Sequence, residues 1–201
     1  MSYGGYIYVD AVAGRRHIAD FLPIADGYSA LLRRNRIGMH AAVMYRRANL
    51  AEIGGFDEGL AACEDYDVYL RMALCVPILY GPEPLAEYWH HGGNMSRDSG
   101  MMLRHVLAVL HRQRPAAQRL ALMTAYRKGV VSRKRHYVMA WCLELLQGIR
   151  SRSIDSSLFT QGVSLARQAP LTVLGTPLRA VRYLGISYLA RRRHTADSRH
   201  R

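Results

Sequence analysis

The stretch GGFDEGLAACEDYDVYLR, residues 54–71, decides how this sequence is interpreted. It holds five of the fifteen carboxylates of a 201-residue chain whose formal net charge is +13. From Glu64 onward, apolar residues recur at helical spacing, which predicts a helix that runs to about Leu74. Acids gathered at one point of a basic chain indicate a site that needs either negative charge or a base.

Two interpretations stay open for the acids at the start of this helix. Acidic residues in a first turn complement the helix dipole by about 0.3–1 kcal/mol each, and Asp67 and Arg71 form an i,i+4 pair of about 0.3–0.5 kcal/mol. A carboxylate at the same place can instead accept a proton from an attacking hydroxyl. Asp65-Tyr66-Asp67 also has the D-x-D form that holds a divalent metal against a diphosphate, but no long apolar strand leads into it.

Strand and helix patterns alternate around this stretch up to about residue 100. GGYIYVDA predicts a strand near the N-terminus, and IGMHAAVMY predicts a strand buried on both faces. RRANLAEIGG predicts a helix that ends at Gly54 or Gly55, and PILYG and LAEYWHH predict extended chain. The remaining segments are helical, near residues 101–113, 116–128, 133–149, 157–168 and 177–193. We therefore expect an α/β domain over residues 1–100 and an all-helical extension over residues 101–201.

The distribution of charge and the spacing of the cysteines indicate which kind of protein this is. Residues 1–100 carry a formal charge of −3 and residues 101–201 carry +16, which indicates an acidic working half joined to a basic half that meets an anionic surface. The three cysteines have no ligand spacing and are expected to be reduced thiols in the cytosol. Neither a secretory leader nor an unbroken apolar run of about 20 residues is visible, so we expect a protein that does not cross a membrane.

Four motifs, in this order and at this spacing, resemble the second half of the GT-A domain of family 2 glycosyltransferases. They are Tyr45-Arg46-Arg47, Gly54-Gly55-Phe56-Asp57-Glu58, Glu64-Asp65-Tyr66-Asp67 with Leu70-Arg71, and His91-Gly92-Gly93-Asn94-Met95-Ser96. The resemblance covers about residues 1–100. It implies a partial GT-A sheet of the nucleotide-diphospho-sugar transferase type, followed by the helical extension.

The resemblance also implies roles for individual residues. Asp65 matches the catalytic base that deprotonates the acceptor hydroxyl for inverting attack on a nucleotide-sugar, and Glu64 matches a companion that shapes the acceptor pocket. The substrate-binding residues implied by the resemblance are Gly54, Gly55, Phe56, Asp57 and Arg71. Arg71 is also expected to hold Asp67 or a neighbouring acid in place, which would be a structural role.

A divalent metal, Mn or Mg, is implied by the resemblance but its main ligands are expected to be absent from this chain. His91 matches a loop histidine near the metal or diphosphate, and the alternative is a solvated loop histidine beside His90. Family members begin with a nucleotide-binding half that carries the D-x-D motif, and this sequence starts after the matching point. We therefore expect a truncated product or a partner chain that supplies that half, and it stays open whether this chain is an enzyme by itself.

The expected function is inverting transfer of a sugar from a nucleotide-sugar donor to a glycan or lipid-linked acceptor, in cell-surface polysaccharide synthesis. The alternative is a non-catalytic glycosyltransferase remnant that docks on a partner or a membrane.

Arginine-rich amphipathic helices in residues 101–201 suit anionic headgroups, with PLRAVRYLGISYLARRRH as the best candidate segment. A merely solvated basic face is the competing interpretation, and nucleic acid is disfavoured because no binding module is visible. The expected location is cytoplasmic, or peripheral on the inner face of the cell membrane.

Overall fold

A computed structural model describes residues 1–11, 14–19, 24, 26–90, 97–176 and 180. The four strands are β1 Ser2–Asp10, β2 Arg15–Ile18, β3 Val43–Met44 and β4 Leu79–His90. The eight helices described are α1 Gly27–Arg33, α2 Arg47–Glu52, α3 Glu64–Cys75, α4 Ser99–Arg112, α5 Arg114–Arg119, α6 Met123–Ser151, α7 Ser157–Gln168 and α8 Pro170–Gly175. The predicted class, an α/β part followed by helices, is confirmed.

The described chain forms two compact units. The first comprises residues 1–98 and 104–133, and the second comprises residues 99–103 and 134–201. The domain boundary predicted at residue 100 stays a prediction. The predicted helix over residues 177–193 and the basic segment around it lie outside the described residues, apart from Ala180. None of the helices in the described part of the chain has an apolar run long enough to cross a bilayer.

The sheet of the first unit is built around β1. Strand β4 pairs with β1 in parallel along its whole length, and β2 and β3 pair with opposite ends of β1 in antiparallel orientation. The β1–β4 register shifts on both sides of Gly5, where β4 carries Pro82 and Pro84. Proline has no N–H for the ladder, so a local irregularity is expected there. A Cβ at Gly4 would come within 2.6 Å of the Leu85 side chain, so a larger residue there would need that exposed side chain to move.

Helix α3 is held in the first unit by a buried face that includes Tyr66, Tyr69 and Leu70, as its apolar spacing predicted. The Tyr66 hydroxyl donates a hydrogen bond of 2.6 Å to the Leu31 carbonyl and so joins α3 to α1. This bond satisfies a phenol that is 1% exposed. The N-terminus of α3 is therefore placed by core packing, and the acids on its first turn are placed with it.

The second unit packs α6 residues beyond 133 against α7. Trp141 Nε1 donates a hydrogen bond of 2.8 Å to the Leu158 carbonyl, and Gly162 faces the indole so closely that a Cβ would lie 2.7 Å from it. The amide of Gln161 accepts from the Ser99 N–H at 3.1 Å. These contacts give the helical residues a small core of their own.

Two local predictions were wrong. IGMHAAVMY forms a 3₁₀ turn at His40–Ala42 and a two-residue strand, and Met44 is 73% exposed. The Asn35 carboxamide accepts hydrogen bonds from the N–H groups of Ile37 and Gly38, and this local turn competes with a strand. The helices predicted over residues 116–128 and 133–149 were also misplaced, because α6 continues without a break through Gly129.

Replacing Gly129 with Ala is expected to lower the free energy of unfolding by about 1–3 kcal/mol. An added Cβ would lie 1.9 Å from the Leu32 carbonyl oxygen, which is backbone and cannot turn away. The control is Gly175→Ala in α8, where a Cβ meets nothing within 4 Å and helix propensity favours alanine by about 1 kcal/mol. Urea unfolding followed by circular dichroism measures both. Equal effects at the two positions would refute the close approach of α6 to α1.

Candidate functional site

The acids Glu64 and Asp65 form the first turn of α3, at the position predicted from the sequence. The residue before them, Cys63, has left-handed backbone angles of φ 62° and ψ 21°, which cost a non-glycine residue about 1–2 kcal/mol. The Asp65 carboxylate is half-buried, and its Oδ1 accepts the Tyr66 N–H at 2.6 Å. The chain therefore enters α3 through a backbone conformation that glycine adopts more readily than cysteine.

Two phenol hydroxyls near Asp65 meet at one imidazole nitrogen. His40 Nδ1 lies 3.4 Å from the Tyr45 hydroxyl and 3.4 Å from the Tyr69 hydroxyl. Tyr69 is also hydrogen-bonded to the Asp65 carboxylate from one helical turn further along α3. We call His40, Tyr45, Asp65 and Tyr69 the Asp65 cluster.

Burial raises the pKa of the Asp65 carboxyl, and the neighbouring Glu64 charge raises it further. The hydrogen bonds from the Tyr66 N–H and the Tyr69 hydroxyl, and the charge of His40, act in the opposite direction. A carboxylate with increased proton affinity, whose ionised form is still supported by donors, is suited to accept a proton. Helix-dipole stabilisation alone does not require such surroundings.

Burial also raises the pKa of the phenols in the cluster. The pKa values of Tyr45 and Tyr69 both rise, with the Asp65 charge as the second cause for each. Their hydroxyls therefore stay protonated at neutral pH, and the tautomer of His40 decides which group donates in each contact with its Nδ1. The same two influences, burial and the nearby acids, raise the pKa of the Cys63 thiol to about 12, so this thiol is not a nucleophile at neutral pH.

The predicted substrate-binding turn follows α2. Gly54 and Gly55 have φ angles of 82° and 70°, which glycine adopts without strain, and the Gly55 N–H bonds back to the Leu50 carbonyl at 2.9 Å. The ring of Phe56 then meets the His40 ring edge to face, with centroids 5.3 Å apart, and the Tyr45 ring at 6.3 Å. Phe56 thus joins the glycine turn to the Asp65 cluster.

Arg71 ties this turn to α3. Its Nε donates to the Asp67 carboxylate at 2.7 Å, Nη1 to the Ile53 carbonyl at 2.6 Å, and Nη2 to the Gly55 carbonyl at 2.7 Å. Asp67 is 3% exposed, so the pair is largely removed from water. The contact with Asp67 that the sequence predicted is present, and the two backbone contacts were not foreseen. Any additional role of Arg71 in substrate binding stays a prediction.

Asp57 is oriented from the opposite side of the turn. Its Oδ1 accepts the Gly59 N–H at 2.8 Å, and its Oδ2 pairs with Arg112 at the end of α4. These two contacts, in that order, lower the pKa of the Asp57 carboxyl, so it is ionised at neutral pH. The Asp57 side chain is therefore held by two partners, although it lies at the surface.

A cleft of about 700 Å³ opens beside the turn, within the first unit. Its lining residues are Gly54, Gly55, Phe56, Asp57, Glu58, Asp67, Arg71, Leu74, Arg112, Gln113, Pro115, Ala116 and Arg119. All five predicted substrate-binding residues therefore share one cleft. Glu64 and Asp65 do not line it, and Phe56 is the residue that contacts both the cleft and the Asp65 cluster.

The residues described do not fit a metal site. Across residues 1–11, 14–19, 24, 26–90, 97–176 and 180, no three His, Cys, Asp or Glu side chains come together in a group that could hold an ion. His91 lies outside the described residues, so its predicted position near a metal stays a prediction.

Sequence reasoning did not identify His40 and Arg112 as site residues, and it assigned Tyr69 only to the apolar face of α3. The i,i+4 spacing of Asp65 and Tyr69 is a signal that could have placed the phenol beside the carboxylate. No comparable signal exists for His40, which is 25 residues from Asp65 and reaches it through folding.

A comparison with protein families supports the resemblance. The family model described as glycosyltransferase like family 2 matches residues 28–141, more than half of the chain. The match contains α1, α2 and α3, with the glycine turn and both acids at the start of α3. It also continues past residue 100 into α6. No curated protein and no solved structure matches the chain.

Proposed function

Because the chain belongs to the glycosyltransferase-like family 2, we propose that it provides the acceptor side of an inverting glycosyl transfer, with Asp65 as the general base. The donor is a nucleotide-sugar, and the acceptor is a glycan or lipid-linked sugar in cell-surface polysaccharide synthesis. The observation that carries the proposal is the half-buried Asp65 carboxylate with its raised pKa, held by Tyr69 and the Tyr66 N–H.

In the proposed step, an Asp65 oxygen takes the proton from the acceptor hydroxyl as the hydroxyl oxygen bonds to the anomeric carbon. The bond from that carbon to the diphosphate breaks on the opposite face, and the nucleoside diphosphate leaves with the electron pair. General-base assistance of this kind contributes about 10²–10⁴-fold to a rate. The charge of Glu64 helps to keep the proton affinity of Asp65 high.

The test is transfer of radiolabel from UDP-glucose, UDP-N-acetylglucosamine and GDP-mannose into the lipid and polysaccharide fractions of the producing cells. The protein is expressed from its full reading frame, as wild type and as Asp65→Asn. Incorporation that depends on Asp65 supports the proposal. Equal incorporation by both forms would show that Asp65 is not the base. Absence of incorporation by the wild type would favour a non-catalytic protein that docks on a partner or a membrane.

We further propose that the helical residues after 133 associate with the inner face of the cell membrane. Phe159 in α7 and Leu171 and Leu174 in α8 are 78%, 83% and 79% exposed. Exposed arginines accompany them at positions 150, 152 and 167. Apolar side chains that enter a headgroup layer and cations that meet anionic lipids together favour peripheral binding.

Replacing Phe159 with Ser is expected to weaken binding to vesicles of phosphatidylcholine and phosphatidylglycerol about tenfold, because burying a large apolar side chain contributes about 1.5–3 kcal/mol. The control is Ile18→Ser, which removes an apolar side chain that is 60% exposed on β2. Co-sedimentation with the vesicles measures both. Equal loss from the two variants, or no binding by the wild type, would contradict membrane association through α7 and α8.

A further inference from the structure

His40 connects the buried part of the Asp65 cluster to solvent. It opens the 3₁₀ turn His40–Ala42 and is itself exposed, whereas Tyr69 is 0% exposed. The imidazole stacks on the Tyr69 ring, with centroids 6.3 Å apart and planes at 22°, and on the Tyr45 ring at 5.8 Å and 30°. The edge of Phe56 closes a further side of the imidazole. Three aromatic rings therefore confine an imidazole that still reaches water.

The Tyr69 hydroxyl stands between two proton-accepting groups. The Asp65 carboxylate and the Tyr45 hydroxyl both act on the pKa of Tyr69, and the Tyr69 hydroxyl lies 3.4 Å from His40 Nδ1. A phenol hydroxyl can rotate, so it can donate to either group while its oxygen accepts from the other. The order of contacts from the helix start to solvent is thus carboxylate, phenol, imidazole.

A general base in this position has a specific difficulty. Each transfer leaves one proton on Asp65, and burial makes the carboxyl hold that proton more tightly. The base must be deprotonated again before the next acceptor binds, and the Tyr69 hydroxyl beside the half-buried carboxyl leads to the exposed imidazole of His40.

We propose that Tyr69 and His40 return the proton from Asp65 to solvent, a role that rests on the function proposed above. The protonated carboxyl donates to the Tyr69 oxygen while the Tyr69 proton moves to His40 Nδ1. The imidazolium then releases a proton to water, and the phenol returns to its donor position on the carboxylate. One proton enters at Asp65 and one leaves at His40, so protons and charge balance at every step. Tyr69 and His40 act through Asp65 and are positioning and proton-carrying residues.

Replacing His40 with Asn separates proton transfer from hydrogen bonding. The Asn side chain can place an acceptor oxygen near the Nδ1 position but cannot carry a proton. We expect the kcat for transfer to fall by about tenfold or more, the KM for the acceptor to stay unchanged, and added imidazole buffer to restore kcat. His111→Asn, an exposed histidine on α4, is the matched control and should change neither parameter. An active His40→Asn enzyme, or an inactive one that imidazole does not restore, would overturn the proposal.

A second measurement does not depend on activity. The Asp65 carboxyl is titrated by ¹³C NMR in aspartate-labelled protein and assigned by its absence in Asp65→Asn. Tyr69→Phe is expected to raise the Asp65 pKa further, because the phenol hydrogen bond supports the ionised form, and His40→Asn is expected to raise it too. An Asp65 titration that is the same in all three proteins would disprove the connection. If only the proton route through Tyr69 and His40 is contradicted, Asp65 can still be the base. If the Asp65→Asn enzyme is active, the proposed function itself is wrong.

Discussion

Replacing Asp65 with Asn is expected to lower the kcat of glycosyl transfer by about 10²–10⁴-fold and, at neutral pH, to raise the temperature of thermal unfolding. The amide keeps the size of the side chain and a hydrogen-bond acceptor for the Tyr66 N–H, but it cannot take a proton from the acceptor hydroxyl. Activity therefore falls while the binding surface stays the same. A purely structural acid would show the reverse, with lower stability and little change in rate.

The gain in stability follows from the direction of the pKa shift. Because burial raises the pKa of Asp65 above its ordinary value of 3.8, the folded protein holds this proton more tightly than the unfolded chain does. The resulting stabilisation is fully present below 3.8 and is lost as the pH rises through the raised folded pKa. At pH 7 the ionised carboxylate therefore opposes folding, and the neutral amide removes that effect. The difference between the two proteins should shrink as the pH is lowered toward 4.

Glu52→Gln is the matched control for this experiment. It neutralises an exposed carboxylate at the end of α2 and should alter neither the transfer rate nor the pH dependence of unfolding. Calorimetric scans between pH 4 and pH 8 provide the stability measurement. If Asp65→Asn is less stable than the wild type at pH 7, the ionised Asp65 carboxylate does not oppose folding and the assignment is contradicted.

Replacing Arg71 with Met is expected to lower the free energy of unfolding by about 3–5 kcal/mol, the usual consequence of removing one partner from a buried ion pair. Asp67 would remain as a charge that is 3% exposed without its cation. The carbonyls of Ile53 and Gly55 would each lose a hydrogen bond from the guanidinium at the same time. The glycine turn would then be released from α3, so activity should fall together with stability.

Arg112→Met supplies the comparison, because it breaks another ion pair in the same cleft by the same substitution. The Arg112 and Asp57 side chains are 48% and 36% exposed, and water screens the attraction between exposed charges, so this pair should stabilise the fold much less than the buried one. Urea unfolding followed by circular dichroism measures both variants. Adding Asp67→Asn to Arg71→Met should recover part of the loss, because it removes the unpaired charge. Equal losses of unfolding free energy in the two variants would refute the claim that the buried ion pair stabilises the fold more than the exposed one.

Local chemistry was sufficient to predict the elements around the site. The apolar spacing from Tyr66 onward predicted α3 from Glu64, and its buried face is as expected. The glycine pair predicted the end of α2, because only glycine adopts positive φ angles without strain. The i,i+4 spacing of Asp67 and Arg71 predicted their contact, which the structure contains. Each of these features depends on residues that are close together in the chain.

The sequence by itself determined the family, the acidic start of α3 and the glycine turn that follows α2, because periodicity, turn residues and motif spacing are properties of neighbouring positions. Only the tertiary structure decided that His40 reaches the Tyr69 hydroxyl beside Asp65, that Arg71 holds two backbone carbonyls, and that α6 passes through Gly129 unbroken. The contacts of His40 and Arg71 join residues that are far apart in the chain. They form only when α1 and α3 are packed in the core. A side chain's partner across such a distance has no local signature, so the sequence could not predict the contact of His40 with Tyr69 or the contacts of Arg71 with the Ile53 and Gly55 carbonyls.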